Sequence, residues 1–318
     1  MTVFQVRPQT LKDFCGKKAI KKNLLAYLNS AKLRNQALDH CLLYGPAGVG
    51  KTTLSRIIAN ELNQKLKIIQ GPELQEKSDV INLIYSLKEN SVIFIDEIHS
   101  INQKCFELLY SAMEDFLINI EIGKEYNKKT TTVPIPRFTL IGATTKLGNI
   151  PTPFEERFGI VINIGEYQEE EILNILNFAV KVCELEVDES ALDLIAKRSK
   201  GIPRIAKRIL SRYIDYALAQ KNLSTKKILE NIGVYEYGLN EIDLNYLSCI
   251  KANKKVGLKT ISQILNVDEK TILDKIEPFL IKKNLIFKSI NGRSLSEKGI
   301  EFISKFDKQN NSKEVVNV

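Results

Sequence analysis

The stretch Gly45-Pro46-Ala47-Gly48-Val49-Gly50-Lys51-Thr52 fits the phosphate-cradling pattern G-x-x-x-x-G-K-[ST]. Gly45, Gly48 and Gly50 let the backbone turn tightly, so that its N–H groups point inward at phosphate oxygens. Lys51 can reach the β- and γ-phosphates of a nucleotide, and the Thr52 hydroxyl can ligate Mg²⁺. Further on, the apolar run Val92-Ile93-Phe94-Ile95 ends in Asp96-Glu97. A carboxylate at Asp96 can hold Mg²⁺ through water, and Glu97 can polarise an attacking water as a general base. Without the loop, the two carboxylates would read as a polar strand exit before a helix. Beside it, they read as the second half of a site that binds and hydrolyses a nucleoside triphosphate.

These residues need elements that position them. Cys41-Leu42-Leu43-Tyr44 reads as a buried strand before the loop, and a helix from Thr52 to about Asn63 adds partial positive charge at its start. Lys17–Ala31, Asp79–Leu87 and Cys105–Leu117 read as further helices, and Leu66–Ile69, Val92–Ile95 and Phe138–Ala143 as strands. This alternation over residues 1 to about 165 predicts an α/β fold, a parallel sheet with helices on both faces. Between about 118 and 133, alternating apolar residues flank the polar turn Gly123-Lys124-Glu125-Tyr126-Asn127. They predict a protruding β-hairpin, a common place for contact with another molecule.

From about 166 to 238 the pattern is helical, an all-α segment. Ile205, Ile209, Arg212, Tyr213 and Tyr216 share one helical face and are read as core, with Pro203 in a first turn. Residues 239–306 change texture. A helix over Leu258–Leu265 is followed by the turn Asn266-Val267-Asp268, with Asp268 as N-cap, and a second helix over Glu269–Ile281. Strands around Ile286 and Ser294 flank an Asn291-Gly292 turn. Helix, turn, helix and hairpin describe a winged helix, a domain that grips duplex DNA in many proteins and binds protein in others. Residues 307–318 are polar and are expected to be a disordered tail.

With 318 residues, two or three domains are expected. At 44% hydrophobic and 26% charged, the composition is that of a soluble globular protein. No apolar run approaches a membrane span, and Met1–Pro8 lacks a signal-peptide core, so a cytoplasmic protein without membrane contact is expected. Five scattered cysteines and two histidines, His40 and His99, form no zinc pattern. The net charge of +8 suits a polyanionic partner without specifying one.

Two arginines fit a shared site. Gly142-Ala143-Thr144-Thr145 places hydroxyls beside a γ-phosphate, and Pro153–Gly159 places Arg157 at a helix end. An arginine there can reach a neighbour's site and bind phosphate oxygens bidentately. Gly201-Ile202-Pro203-Arg204 then puts Arg204 where it could touch the γ-phosphate. For either arginine alone, a surface ion pair is the better reading. The order of loop, carboxylates, threonines, arginine and lid arginine favours a site completed by a neighbour, hence head-to-tail packing into a ring.

Taken together, Arg7-Pro8, Phe14-Cys15-Gly16, Ala37-Leu38-Asp39-His40, Asp96-Glu97-Ile98-His99, Ala112-Met113-Glu114-Asp115-Phe116, Gly142-Ala143-Thr144-Thr145, Glu156-Arg157-Phe158-Gly159, Gly201–Ala206 and Ile276–Leu280 carry a resemblance. From Arg7 to about Phe302 the chain resembles the RuvB family, bacterial Holliday-junction branch-migration motors of the AAA+ class. The resemblance implies a large AAA+ ATPase domain over 1–165, an all-α lid over 166–238 and a winged-helix domain over 239–306. It implies ATP and Mg²⁺, with Val6 and Arg7 near the adenine and Gly48, Lys51, Thr52 and Thr53 at the phosphates. Glu114, Asp115 and Phe116 would line the site, Tyr167 and Arg204 would close it from the lid, and Arg157 would be the arginine finger. It also implies a homohexameric, helicase-like ring acting on duplex and four-way-junction DNA in recombination, repair and the SOS response to DNA damage. RuvA would dock on the hairpin at about 118–133, with the resolvase RuvC as a further partner. DNA would meet Lys288 and Arg293. Three positions depart from the family: Glu155 replaces an arginine, Asn291 replaces a wing arginine, and Lys288 stands for another. The alternative function is a loader-type AAA+ switch acting on DNA. A protein-remodelling ATPase would need an aromatic pore loop, and none stands out between Gly71 and Ile81.

Overall fold

A computed structural model describes residues 3–122, 129–220 and 223–314. The chain divides into two compact units, Met1–Thr225 and Lys226–Val318.

In chain order, the strands of the first unit are β1 (Cys41–Tyr44), β2 (Leu66–Gln70), β3 (Ser91–Asp96), β4 (Leu117–Ile122), β5 (Lys129–Pro134), β6 (Phe138–Thr144) and β7 (Ile160–Asn163). Five of them form one sheet in the order β2-β3-β6-β1-β7, every pair parallel. Parallel strands are covered on both faces, which is why β3 and β6 are continuous apolar runs and β6 is buried throughout. The covering helices are α1 (Lys18–Arg34), α2 (Lys51–Glu61), α3 (Lys77–Tyr85), α4 (Gln103–Glu114) and the short α5 (Thr152–Glu155). Open α/β sheets bind ligands in the crevice outside the carboxyl ends of their strands. The phosphate loop leaves β1 there, Asp96 ends β3 and Thr144 ends β6.

The strand β7 lies beyond the sequence expectation. It is four residues long, with inward Ile160 and Ile162 alternating with outward positions, and it pairs only with β1. So short an edge strand leaves little periodic signal. β4 and β5 pair antiparallel from Leu117↔Pro134 to Ile122↔Lys129. The turn expected at Gly123–Asn127 lies outside the described residues.

Helices α6 (Glu169–Val182), α7 (Glu189–Lys197) and α8 (Pro203–Ala219) pack through Leu176, Ile195 and Leu210, all fully buried. The α8 face expected as core is only partly so. Ile209 is buried, but Arg212 is exposed and paired with Asp215, and Tyr213 and Tyr216 are half-buried. The small Ala206 takes the inward place beside Ile209 instead.

After α9 (Thr225–Asn231), the second unit contains α10 (Glu241–Asn253), α11 (Leu258–Leu265), α12 (Glu269–Thr271), a π turn (Ile272–Ile276), α13 (Glu277–Lys282), β8 (Ile286–Ser289), β9 (Gly292–Leu295) and α14 (Glu297–Glu314). Asp268 caps α12, its Oδ1 accepting from Thr271 N–H at 2.8 Å. The single helix expected over Glu269–Ile281 is broken by the π turn. Pro278 has no N–H for the carbonyl four residues back, and the wider turn absorbs that loss. The hairpin turn is centred on Ile290-Asn291, not Asn291-Gly292, because Ser289 pairs with Gly292. Gly292 is required at that pair. Its φ is +127°, and a Cβ would lie 2.7 Å from Val256 O. Of the tail expected to be disordered, residues 307–314 continue α14, and 315–318 lie outside the described residues. The apolar residues Phe302, Ile303 and Phe306 anchor α14, and Asp307 accepts from Lys251 Nζ at 2.7 Å.

Candidate nucleotide site

The loop after β1 is shaped by close approach. Gly45 has φ +143°, and a Cβ there would stand 2.1 Å from Ile164 O. Gly48 has φ +84° and would collide with Arg204 Cβ at 2.8 Å. The lid therefore sits directly on the loop, and Arg204 N–H donates to Gly48 O at 3.3 Å. Gly50 precedes α2, whose first-turn N–H groups open toward the loop. Lys51 is buried and folded back, with Nζ donating to Gly45 O at 2.8 Å and Pro46 O at 3.1 Å. Burial lowers its pKa, and Glu97 and Asp96 oppose that fall, so a partnered ammonium waits where phosphate oxygens would replace the carbonyls. Thr52 Oγ1 donates to Asp96 Oδ2 at 3.3 Å. A hydroxyl and a carboxylate are hard oxygen donors, few in number, as Mg²⁺ beside substrate phosphates requires.

Glu97 stands in the left-handed region, φ +50°. Its Oε2 accepts from Thr145 N–H at 3.3 Å and from Thr145 Oγ1 at 3.2 Å, and lies 3.2 Å from His99 Nδ1. Thr144 is fully buried. Its Oγ1 accepts from Lys146 N–H at 2.9 Å and lies 2.9 Å from His99 Nδ1. Thr145 is exposed at the crevice and Thr144 is not. The two threonines that sequence left equivalent are thus distinct in the fold.

A third wall is apolar. Phe14, Thr53, Tyr167, Ile175 and Phe178 line a pocket beside the loop, together with Lys207. Tyr167 OH donates to Val49 O at 3.0 Å, and Lys17 Nζ lies 4.4 Å above its ring. Burial raises the pKa of Tyr167, which stays a neutral donor. Val6 is buried, its carbonyl accepting from Lys207 Nζ, while Arg7 is exposed nearby. Lys207 was not among the residues expected here. It lies three residues after Arg204 on α8, hence on the same helical face, and that spacing was the available signal.

Glu114, Asp115 and Phe116 do not join this pocket within the chain. Arg157 Nη2 pairs with Glu114 Oε2 at 2.8 Å. Phe116 and Arg157 line a separate hollow with Arg34, Asp39, His40 and Arg137. That hollow surrounds the entry of β1, whereas the phosphate loop leaves its exit, about 13 Å along a four-residue strand.

His40 organises this second cluster, and sequence gave no sign of it. Its Nδ1 accepts from Leu140 N–H at 2.9 Å, so Nε2–H donates to Met113 O at 3.1 Å, and the ring packs 5.3 Å from Phe138. Burial lowers its pKa, and the contact with Met113 O opposes that only in part. The unfolded chain takes up a proton near pH 6.5 that the folded site refuses, so stability is whole above that pH and is lost as pH falls through it. Unfolding free energies from denaturant melts are expected to decline below pH 6.5, by up to about 1.4 kcal/mol per pH unit, and that decline to flatten in His40→Gln.

In the second unit the two residues expected at DNA both meet a buried carboxylate. Arg293 is buried: its Nε donates to Glu277 Oε1 at 2.7 Å and its Nη2 to Oε2 at 3.4 Å. Lys288 Nζ lies 3.2 Å from the same carboxylate, which also accepts from Tyr246 OH at 3.0 Å. Burial would raise the Glu277 pKa, but the hydrogen bonds from Arg293, Lys288 and Tyr246 outweigh it and hold the group ionised. Arg293 thus anchors the wing from within, and only Lys288 is open to solvent. Arg293→Ala leaves the buried carboxylate with only Lys288 and Tyr246 and is expected to cost about 3 kcal/mol, read as faster hydrogen exchange in α10 and α13 of the whole chain. Lys288→Ala is expected to leave that exchange unchanged.

A loop of this kind after β1, carboxylates after β3, a helical lid seated on the loop and a separate winged helix define a AAA+ P-loop ATPase. Within that class, the chain belongs to the RuvB family. Residues 6–164 match the Holliday junction DNA helicase RuvB P-loop domain, 167–240 the RuvB AAA lid domain and 236–304 the RuvB C-terminal winged helix domain. A Holliday junction branch migration complex subunit RuvB from Ureaplasma urealyticum serovar 10 is 47% identical over 94% of this chain and 96% of its own length. The subunit of the same description from Mycoplasma genitalium is 42% identical, covering 94% and 98%. The solved Thermotoga maritima RuvB Holliday junction branch migration motor superposes with TM-score 0.79 at 35% identity, covering 95% of this chain and 99% of that one. Among the described residues, no helix is long and apolar enough to cross a membrane.

Proposed function

We propose that this chain is an ATP-driven DNA motor that moves the branch point of a Holliday junction, working in the cytoplasm as a homohexameric ring. The observation that carries this reading is Lys51, Thr52, Asp96 and Glu97 converging on one crevice in a chain with all three RuvB domains. We divide the chain into a large domain to 165, a lid over 166–238 and a winged helix over 239–306.

ATP enters with its adenine in the apolar pocket between Phe14 and Tyr167 and its phosphates over the loop. Lys51 exchanges the carbonyls of Gly45 and Pro46 for β- and γ-oxygens. Mg²⁺, held by Thr52 and through water by Asp96, would neutralise the phosphate charge. Glu97 takes the proton of the attacking water, Thr145 senses the γ-phosphate, and Arg204 reports its loss to the lid. Arg157 comes from the neighbouring copy, with Glu114 and Phe116 beside it. RuvA docks on the β4–β5 hairpin and presents the junction, RuvC is a further partner, and the winged helix grips duplex backbone through Lys288.

The test is steady-state ATP hydrolysis with and without a synthetic four-way junction. Junction DNA is expected to stimulate hydrolysis, and the stimulation to fall steeply with salt, as backbone contacts do. Hydrolysis indifferent to DNA at every salt concentration contradicts this reading.

A further inference from the structure

The ATPase reading leaves one histidine unassigned, and the inference drawn from it rests on that reading. His99 follows the catalytic carboxylates, and its side chain is 13% exposed, held between the exits of β3 and β6. Its Nδ1 faces two oxygens at once, Thr144 Oγ1 at 2.9 Å and Glu97 Oε2 at 3.2 Å. A ring nitrogen 3.2 Å from a carboxylate oxygen is favourable there when it carries a hydrogen, since two lone pairs facing each other repel. Thr144 Oγ1 already takes the Lys146 N–H, and a second lone pair remains for the same Nδ1 hydrogen.

The donors are unevenly divided between the oxygens of Glu97. Oε2 receives Thr145 N–H and the Thr145 hydroxyl, and His99 Nδ1 lies 3.2 Å from it. Oε1 has only the Thr145 hydroxyl at a long 3.5 Å. A carboxylate tied by one oxygen presents the other, with its lone pairs, in a fixed direction. We propose that His99 is the positioning residue of the general base: with Thr145 it pins Oε2 of Glu97, so that Oε1 is the atom that receives the proton of the attacking water. Thr144 holds His99 in turn, which gives the buried threonine of the pair a task distinct from that of the exposed one. Displacement of Glu97 releases the Nδ1 hydrogen wholly to Thr144, so the exit of β6 is mechanically coupled to the base.

The test uses the full chain with ATP and Mg²⁺, following single-turnover hydrolysis, mant-ATP affinity and thermal midpoint together. His99→Ala is expected to slow hydrolysis by ~10- to 100-fold, short of the loss of the base itself, with mant-ATP affinity within about twofold. His99→Asn keeps a donor near the Nδ1 position and is expected to recover most of the rate. Because His99 acts through Glu97, His99→Ala added to Glu97→Gln should slow the residual reaction no further. Wild-type rate in His99→Ala, a parallel loss of affinity and thermal midpoint, or additive loss in the double variant would each overturn the proposal. Those outcomes leave the wild type active. A wild type that binds mant-ATP yet never hydrolyses ATP would instead remove the ATPase reading itself.

Discussion

Lys51→Ala is expected to reduce ATP hydrolysis by at least ~10²- to 10³-fold, the scale on which one preorganised charge contact at a transition state acts. The geometry says why the loss should exceed that of an ordinary surface lysine. Lys51 is 7% exposed, and its ammonium lies on two loop carbonyls, 2.8 and 3.1 Å away. The fold itself already meets the desolvation cost of that cation, so phosphate oxygens would replace carbonyl partners instead of water. The variant loses the charge and also leaves Gly45 O and Pro46 O without their donor. Nucleotide affinity should therefore fall along with turnover. The fold should survive, because the sheet core at Leu42, Phe94 and Ile141 does not depend on the loop. Circular dichroism and mant-ATP titration of the same sample separate the two effects.

Arg157→Ala is expected to abolish hydrolysis on a comparable or larger scale, ~10³- to 10⁵-fold for an arginine finger, without weakening nucleotide binding by its own subunit. Arg157 stands with Glu114 and Phe116 at the β1 entry, away from its own phosphate loop. Its Nε is buried without a hydrogen-bond partner among the described residues, so the guanidinium's donors are not all used by its present neighbours. Mixing discriminates this from a structural role. Neither Lys51→Ala nor Arg157→Ala should hydrolyse ATP alone. In a randomly mixed ring about one site in four pairs an intact Lys51 with an intact Arg157 from the next subunit, so roughly a quarter of wild-type activity should return. No recovery on mixing, with rings formed, would mean that Arg157 acts inside its own chain.

The nucleotide site was largely legible in the sequence because its chemistry restricts residue types at short spacing. Only glycine fits φ +143° at Gly45 with Ile164 O behind it, and only a run such as Val92–Ile95 makes a central parallel strand ending at Asp96. Long-range geometry was not legible. His40 meets Met113 and Leu140, 73 and 100 residues away, and no local pattern announces such partners. Arg293 shows the same limit from the other side. Its place in the wing was readable, but the buried Glu277 that claims its guanidinium was not, since burial depends on how α10, α13 and β9 close together. Glu114 and Phe116 gather with Arg157 at the β1 entry, and a run of sequence does not mark which end of a strand its residues will reach.

The most direct test of the account is ATP-driven dissociation of a labelled synthetic four-way junction by the full chain with a RuvA partner, with Lys51→Ala as control. The account predicts separated duplex arms that require ATP, Mg²⁺ and Lys51. Junction binding and ATP hydrolysis without any movement of the branch point would contradict it, and would leave a nucleotide-controlled switch on DNA in place of a motor.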